Sequence, residues 1–74
     1  MVTIYTSPGC MPCRFSKKRL TDLGVPFQEV DLSQDEKALE YVKSLGYSQA
    51  PVVVTEDGDH WTGLVPERID ALAA

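Results

Sequence analysis

"VTIYTSPGCMPC", residues Val2 to Cys13, runs a strand-like pattern into a helix start and holds both cysteines of the chain. From Val2 to Thr6, β-branched and aromatic residues alternate, which predicts a strand, and Ser7, Pro8 and Gly9 end it in a sharp loop. From about Met11 to Leu23 a helix is expected, with Cys13, Ser16, Leu20 and Leu23 on one face and Phe15 beside them. Gly24 supplies its C-terminal cap and Pro26 stops its continuation.

Outward from that junction, "PFQEVDL" (26–32) reads as a second strand carrying Phe27 and Val30. The helix between the two strands makes a βαβ unit, hence parallel strands and a right-handed crossover. In "SQDE" (33–36), Ser33 as N-cap and Glu36 three positions on form a capping box. The helix it opens places Ala38, Val42 and Leu45 on one face with Tyr41 alongside, and Gly46 closes it. "APVVVTEDGDHWTG" (50–63) reads as a hairpin: the run Val52 to Thr55, a turn at Asp57 and Gly58, and a return around His60 and Trp61. Pro66 suits the first turn of a last helix, docked through Ile69 and Leu72. The order is βαβαββα, with no internal repeat, and the trailing alanines are expected to fray.

With 74 residues the chain has room for one domain, residues 1–74, which buries about 60 to 65% of its unfolded surface. Hydrophobic residues at 43% and charged residues at 24% suit a soluble globular protein. A net charge of -4 offers no overall attraction to nucleic acid or anionic lipid. No apolar run approaches a membrane span and no signal pattern precedes the first strand, so a cytoplasmic monomer without nucleic-acid or membrane partners is expected.

Two cysteines three positions apart are too few for a secreted disulfide framework. A strand that delivers Cys10 to a helix start sets its sulfur among unpaired backbone N–H groups at the positive end of the helix dipole. Thiolate is favoured there, and thiolate is the nucleophile. Cys13, one turn inward, faces the sheet, so Cys10 is assigned the attack on a partner's disulfide and Cys13 the resolving attack. Pro12 is tolerated in the first helical turn, fixes the turn between the thiols and deletes one N–H. A modestly lowered Cys10 pKa, roughly 6 to 7.5, is therefore expected. A zinc site would need carboxylates or a second chain, since His60 is the only histidine. An inert structural disulfide is the other bland reading. Spacing, helix start and βαβ context together favour thioredoxin-like redox chemistry, with no metal and no bound cofactor.

Ala50-Pro51 has two readings. Pro51 either opens a strand, as prolines commonly do, or forms a cis peptide facing the cysteines and leaves the Ala50 backbone free for an extended substrate segment. Arg14, Lys17, Lys18 and Arg19 hold four of the seven basic residues. A solvated face is the ordinary reading of such a cluster, and steering of an acidic partner by Arg14 and Lys18 is the other. Trp61 reads first as packing and His60 as a surface residue.

The order of elements, the "YTSPGCMPC" start, "LGYSQAPVVV" (45–54) and "HWTGLVPERI" (60–69) resemble the NrdH-type redoxins along nearly the whole chain. These are glutaredoxin-like proteins of the thioredoxin superfamily. The resemblance implies a minimal thioredoxin fold of the α/β class, with a four-stranded mixed sheet and helices on both faces. It also implies a dithiol-disulfide oxidoreductase that is reduced by NADPH-dependent thioredoxin reductase and donates electrons to class Ib ribonucleotide reductase. By that resemblance Cys10 and Cys13 are catalytic, Met11, Pro12 and Pro51 support them, and Ala50, Trp61 and Gly63 meet the partner. The chain departs from the family in three places. Pro12 replaces the usual glutamine, and Leu64 and Val65 replace a Phe-Arg pair, which predicts a looser hairpin. Ser7 stands where glutaredoxins often carry a lysine, and "TGLVPE" (62–67) lacks their acidic pair, so tight glutathione binding is not expected. A glutathione-dependent glutaredoxin is the rival reading.

Overall fold

Alternation sorts the first strand between two layers: Val2, Ile4 and Thr6 are buried, while Thr3 and Tyr5 on the other side are half-buried. A computed structural model describes residues 1–73 as β1 (Val2–Thr6), α1 (Met11–Asp22), β2 (Phe27–Asp31), α2 (Glu36–Ser44), β3 (Val52–Val54), β4 (His60–Thr62) and α3 (Pro66–Leu72). The expected fraying concerns Ala73 and Ala74; Ala73 caps α3 through its N–H to the Asp70 carbonyl, and Ala74 lies outside the described residues.

The sheet order is β2-β1-β3-β4. β1 and β2 are parallel, from Val2 opposite Phe27 to Thr6 opposite Asp31. β3 runs antiparallel to β1 and to β4. Val2 and Ile4 join Leu20 of α1, Val53 and Trp61 of the hairpin and Ile69 of α3 in one core, edged by Val25, Phe27, Val65 and Leu72. On the opposite face Tyr5 meets Tyr41 of α2 at 5.9 Å between ring centroids. Helices therefore cover both faces, α1 and α3 on one and α2 on the other, which is the minimal thioredoxin fold. Among the described residues no helix is long and apolar enough to cross a membrane.

Three local expectations are corrected. α2 is capped by Asp35, whose Oδ1 accepts the Ala38 N–H at 3.0 Å, and not by Ser33. Ser33 is taken by the end of β2: its N–H and Oγ both donate to Asp31 Oδ1, at 2.8 and 2.7 Å. Phe15 and Leu23 are exposed, 52% and 38%. Phe15 lies about 200° around the helix from Cys13, and Leu23 caps α1 beyond its last full turn.

Position 65, where the resemblance expects arginine, holds Val65, and another arginine ties the hairpin to α3. Arg68 of α3 donates through one guanidinium nitrogen to both Asp59 carboxylate oxygens, at 2.8 and 2.6 Å, and stacks 4.8 Å from the Trp61 ring centroid. Arg19 grips Asp70 through two hydrogen bonds of 2.8 and 2.7 Å, which fastens α3 to α1 as well. Replacing Arg68 with Ala is expected to lower the unfolding free energy by about 1 kcal/mol, from an exposed ion pair and a cation–π contact together. Asp59→Asn is expected to cost about half of that, since the stacking survives. Urea denaturation checks both, and an Arg68→Ala variant as stable as the parent would show that the tie is ornamental.

Candidate active site

The loop after β1 makes the site. Gly9 takes φ 71°, a left-handed conformation that a side chain would strain, and this turn carries the chain from strand to helix. Cys10 then occupies the N-cap of α1 with extended backbone, φ -88° and ψ 106°. Its Sγ accepts the Cys13 N–H at 3.2 Å, so sulfur fills the role an Asp or Ser oxygen usually takes at this position. Its carbonyl accepts the Arg14 N–H at 3.3 Å. Met11 and Pro12 fill the first two helical positions; both are exposed.

Cys10 and Cys13 form a disulfide with their Cα atoms 5.3 Å apart. Cys10 is half-buried, whereas Cys13 is 2% exposed. The asymmetry assigned from sequence is thus present. An incoming thiolate reaches Cys10 Sγ and displaces Cys13, and the helix N–H that held the disulfide stays in place to stabilise a Cys10 thiolate.

The Ala50–Pro51 peptide is cis, and Pro51 is buried. Gly63, at φ 84°, donates its N–H to the Pro51 carbonyl at 2.9 Å, and Thr62 Oγ1 donates to the Gln49 carbonyl at 2.9 Å. The end of the hairpin therefore positions the Pro51 loop. Ala50 is half-buried and lines an apolar groove of about 340 Å³ with Ser7, Leu39, Val42 and Tyr47. Trp61 is 4% exposed and sits in the core, so its ring offers no surface to a partner. Instead, Met11, Phe15 and Leu64 are 50%, 52% and 40% exposed, and Phe15 and Leu64 share a groove of about 270 Å³ with Pro66.

Of the basic cluster on α1, Lys17 pairs with Glu29 at 3.0 Å, Lys18 with Asp22 at 3.0 Å and Arg19 with Asp70. Among the described residues the Arg14 side chain makes only a 3.8 Å contact, to Met11 Sδ. His60, read as a surface residue, is half-buried, and its Nδ1 lies 2.7 Å from Tyr47 Oη. Sequence reasoning also passed over Glu29. Its Oε2 accepts from Thr6 Oγ1 at 2.9 Å and from Lys17, and all three residues line a cleft of about 250 Å³ with both cysteines. The strand register carries the signal for it: Glu29 is paired with the buried Ile4, so it faces α1.

A family model for glutaredoxin matches residues 2–61. The chain belongs to the glutaredoxin family. It is similar to the glutaredoxin-like protein NrdH of Lactococcus lactis subsp. cremoris, 33% identical over 99% of this chain and 100% of that one. The Gene 56 protein of Mycobacterium phage L5 is 42% identical over 96% of this chain and 70% of its own length. Among solved structures, the glutaredoxin-like protein NrdH-redoxin from Escherichia coli superposes with a TM-score of 0.91. It is 31% identical, over 96% of this chain and 92% of that one. The Cys10–Cys13 pair is accordingly the redox disulfide of a glutaredoxin-like thiol oxidoreductase of the NrdH type.

The Lys17 hydrogen bond is the first cause holding the Glu29 carboxyl below its ordinary value of 4.5; burial works against it, and Thr6 adds to the lowering. A carboxyl depressed in the fold stabilises it above the unfolded pKa, and that contribution is lost as pH falls through the folded value. In an NMR titration Glu29 is expected to have its midpoint below 4.5, and Lys17→Met is expected to raise it and to move the acid loss of stability to higher pH. Equal midpoints in the two proteins would contradict the pairing.

Proposed function

We propose that this protein is a disulfide reductant for other proteins, taking electrons from NADPH-dependent thioredoxin reductase and passing them to class Ib ribonucleotide reductase in the cytoplasm. It acts as a monomer, its only redox group is the Cys10–Cys13 pair, and NADPH enters through the reductase alone.

What carries this reading is the character of the exposed surface. Met11, next to Cys10 in the chain, is exposed, and so are Phe15 and Leu64, which share a groove with Pro66. The places where a charged tripeptide would be clamped hold Ser7 and "TGLVPE", whose single carboxylate is Glu67. Apolar surface of this kind suits a protein partner, and Ala50 beside the cis-proline offers backbone to an extended segment of it. The likeness to proteins named NrdH, one of them reported with a thioredoxin-like activity profile, supports the same choice.

Coupling to a disulfide substrate and NADPH tests it, with thioredoxin reductase or with glutathione plus glutathione reductase as the source. Turnover with thioredoxin reductase is expected to exceed the glutathione-driven rate by at least about tenfold, the loss associated with about 1.4 kcal/mol of missing ion pairing. Faster turnover with glutathione would make this chain a glutathione-dependent glutaredoxin. Reduction of the class Ib ribonucleotide reductase by the same couple tests the partner.

A further inference from the structure

One buried polar atom on α1 has no use in the exchange chemistry described above. Ser16 is 0% exposed, and its Oγ has no hydrogen-bond partner among the described residues. Other hydroxyls on the helices behave differently: Thr21 Oγ1 donates to the Lys17 carbonyl at 2.9 Å and Ser44 Oγ to the Tyr41 carbonyl at 2.6 Å. Such back-bonding is the ordinary resort of a helical Ser or Thr, and Ser16 forgoes it. A buried hydroxyl left unpaired is destabilising, because its lost hydration is not replaced.

Ser16 follows Cys13 by three residues, so the two side chains lie on one helix face, and both are buried. In the disulfide, Cys13 Sγ is bonded to Cys10 and is at best a weak acceptor. A dithiol reductant changes that. Its first thiolate bonds to Cys10 Sγ, the Cys10–Cys13 bond breaks, and the bonding pair leaves on Cys13 Sγ. Its second thiol then displaces Cys10 and closes the reductant's own disulfide, so two electrons and two protons pass to the protein. Negative charge thus develops first on a buried sulfur, where a fixed donor acts most strongly.

We propose that Ser16 Oγ–H is the donor to Cys13 Sγ in the reduced protein, an unpaired group in the disulfide that finds its partner on reduction and so sets the redox poise of the pair. Ser16 is a positioning residue here, since it acts through Cys13 and touches no partner. The proposal deepens the dithiol reading and rests on it.

Wild-type protein and Ser16→Ala are equilibrated with mixtures of reduced and oxidised dithiothreitol, and the disulfide fraction is read by alkylation and mass spectrometry. Ser16→Ala is expected to favour the disulfide about fivefold, which is about 20 mV towards more negative potential. Urea unfolding of each redox form accompanies it: the variant should gain stability when oxidised relative to its stability when reduced. An unchanged equilibrium constant, or an equal stability change in both forms, assigns Ser16 to packing and overturns the proposal. Wild-type protein that fails to equilibrate with dithiothreitol at all would instead overturn the exchange reading beneath it.

Discussion

The hydrogen bond from the Cys13 N–H to Cys10 Sγ is the constraint around which this small protein is arranged. It exists because Gly9 turns the chain through a left-handed residue immediately after β1 and sets Cys10 at the helix N-cap. A helix start must satisfy its unpaired N–H groups somehow. Here a reactive sulfur does so, and one feature both caps the helix and activates the nucleophile. The parallel pairing of β1 with β2 and the packing of Leu20 and Ile69 under Ile4 hold that junction rigid.

Two supports bear on the site from either side. The hairpin reaches Pro51 through the Gly63 N–H, and the Arg68–Asp59 pair ties the same hairpin to α3. On the other side, Lys17 of α1 and Thr6 of β1 converge on Glu29 of the edge strand. A charge turned towards the helix layer on an edge strand also discourages pairing with a second sheet, so Glu29 serves the fold as well as the cleft. Trp61 is spent on the core, and the large apolar side chains left exposed include Met11, Phe15 and Leu64.

Much of this was legible in the residues, and what was not has identifiable causes. The strands, the helices and the cysteine asymmetry follow from local periodicity and from punctuation by glycine and proline, which act over a few residues. The α2 cap was misplaced because Ser33 and Asp35 are both good caps, and only the end of β2, where Asp31 binds Ser33, decides between them. Arg68 with Asp59, and Lys17 with Glu29, join residues nine and twelve positions apart in different parts of the fold, so no periodicity or capping pattern reports them. The looser hairpin inferred from Val65 weighed that position alone, whereas the Arg68–Asp59 pair ties the same hairpin to α3. Pro51 stood evenly between two readings, since the peptide geometry is set by the loop that Gly63 and Thr62 hold.

Two thiols one helical turn apart differ in exposure, and unequal roles in exchange follow from that difference. The direct test is to react reduced Cys10→Ser and Cys13→Ser proteins with a disulfide-bonded protein substrate and to resolve the products by nonreducing electrophoresis. Cys13→Ser is expected to accumulate a mixed disulfide through Cys10, and Cys10→Ser to form almost none, because its remaining sulfur is 2% exposed in the parent fold. Equal trapping by the two variants, or trapping through Cys13 alone, would contradict the assignment of attack to the capping sulfur.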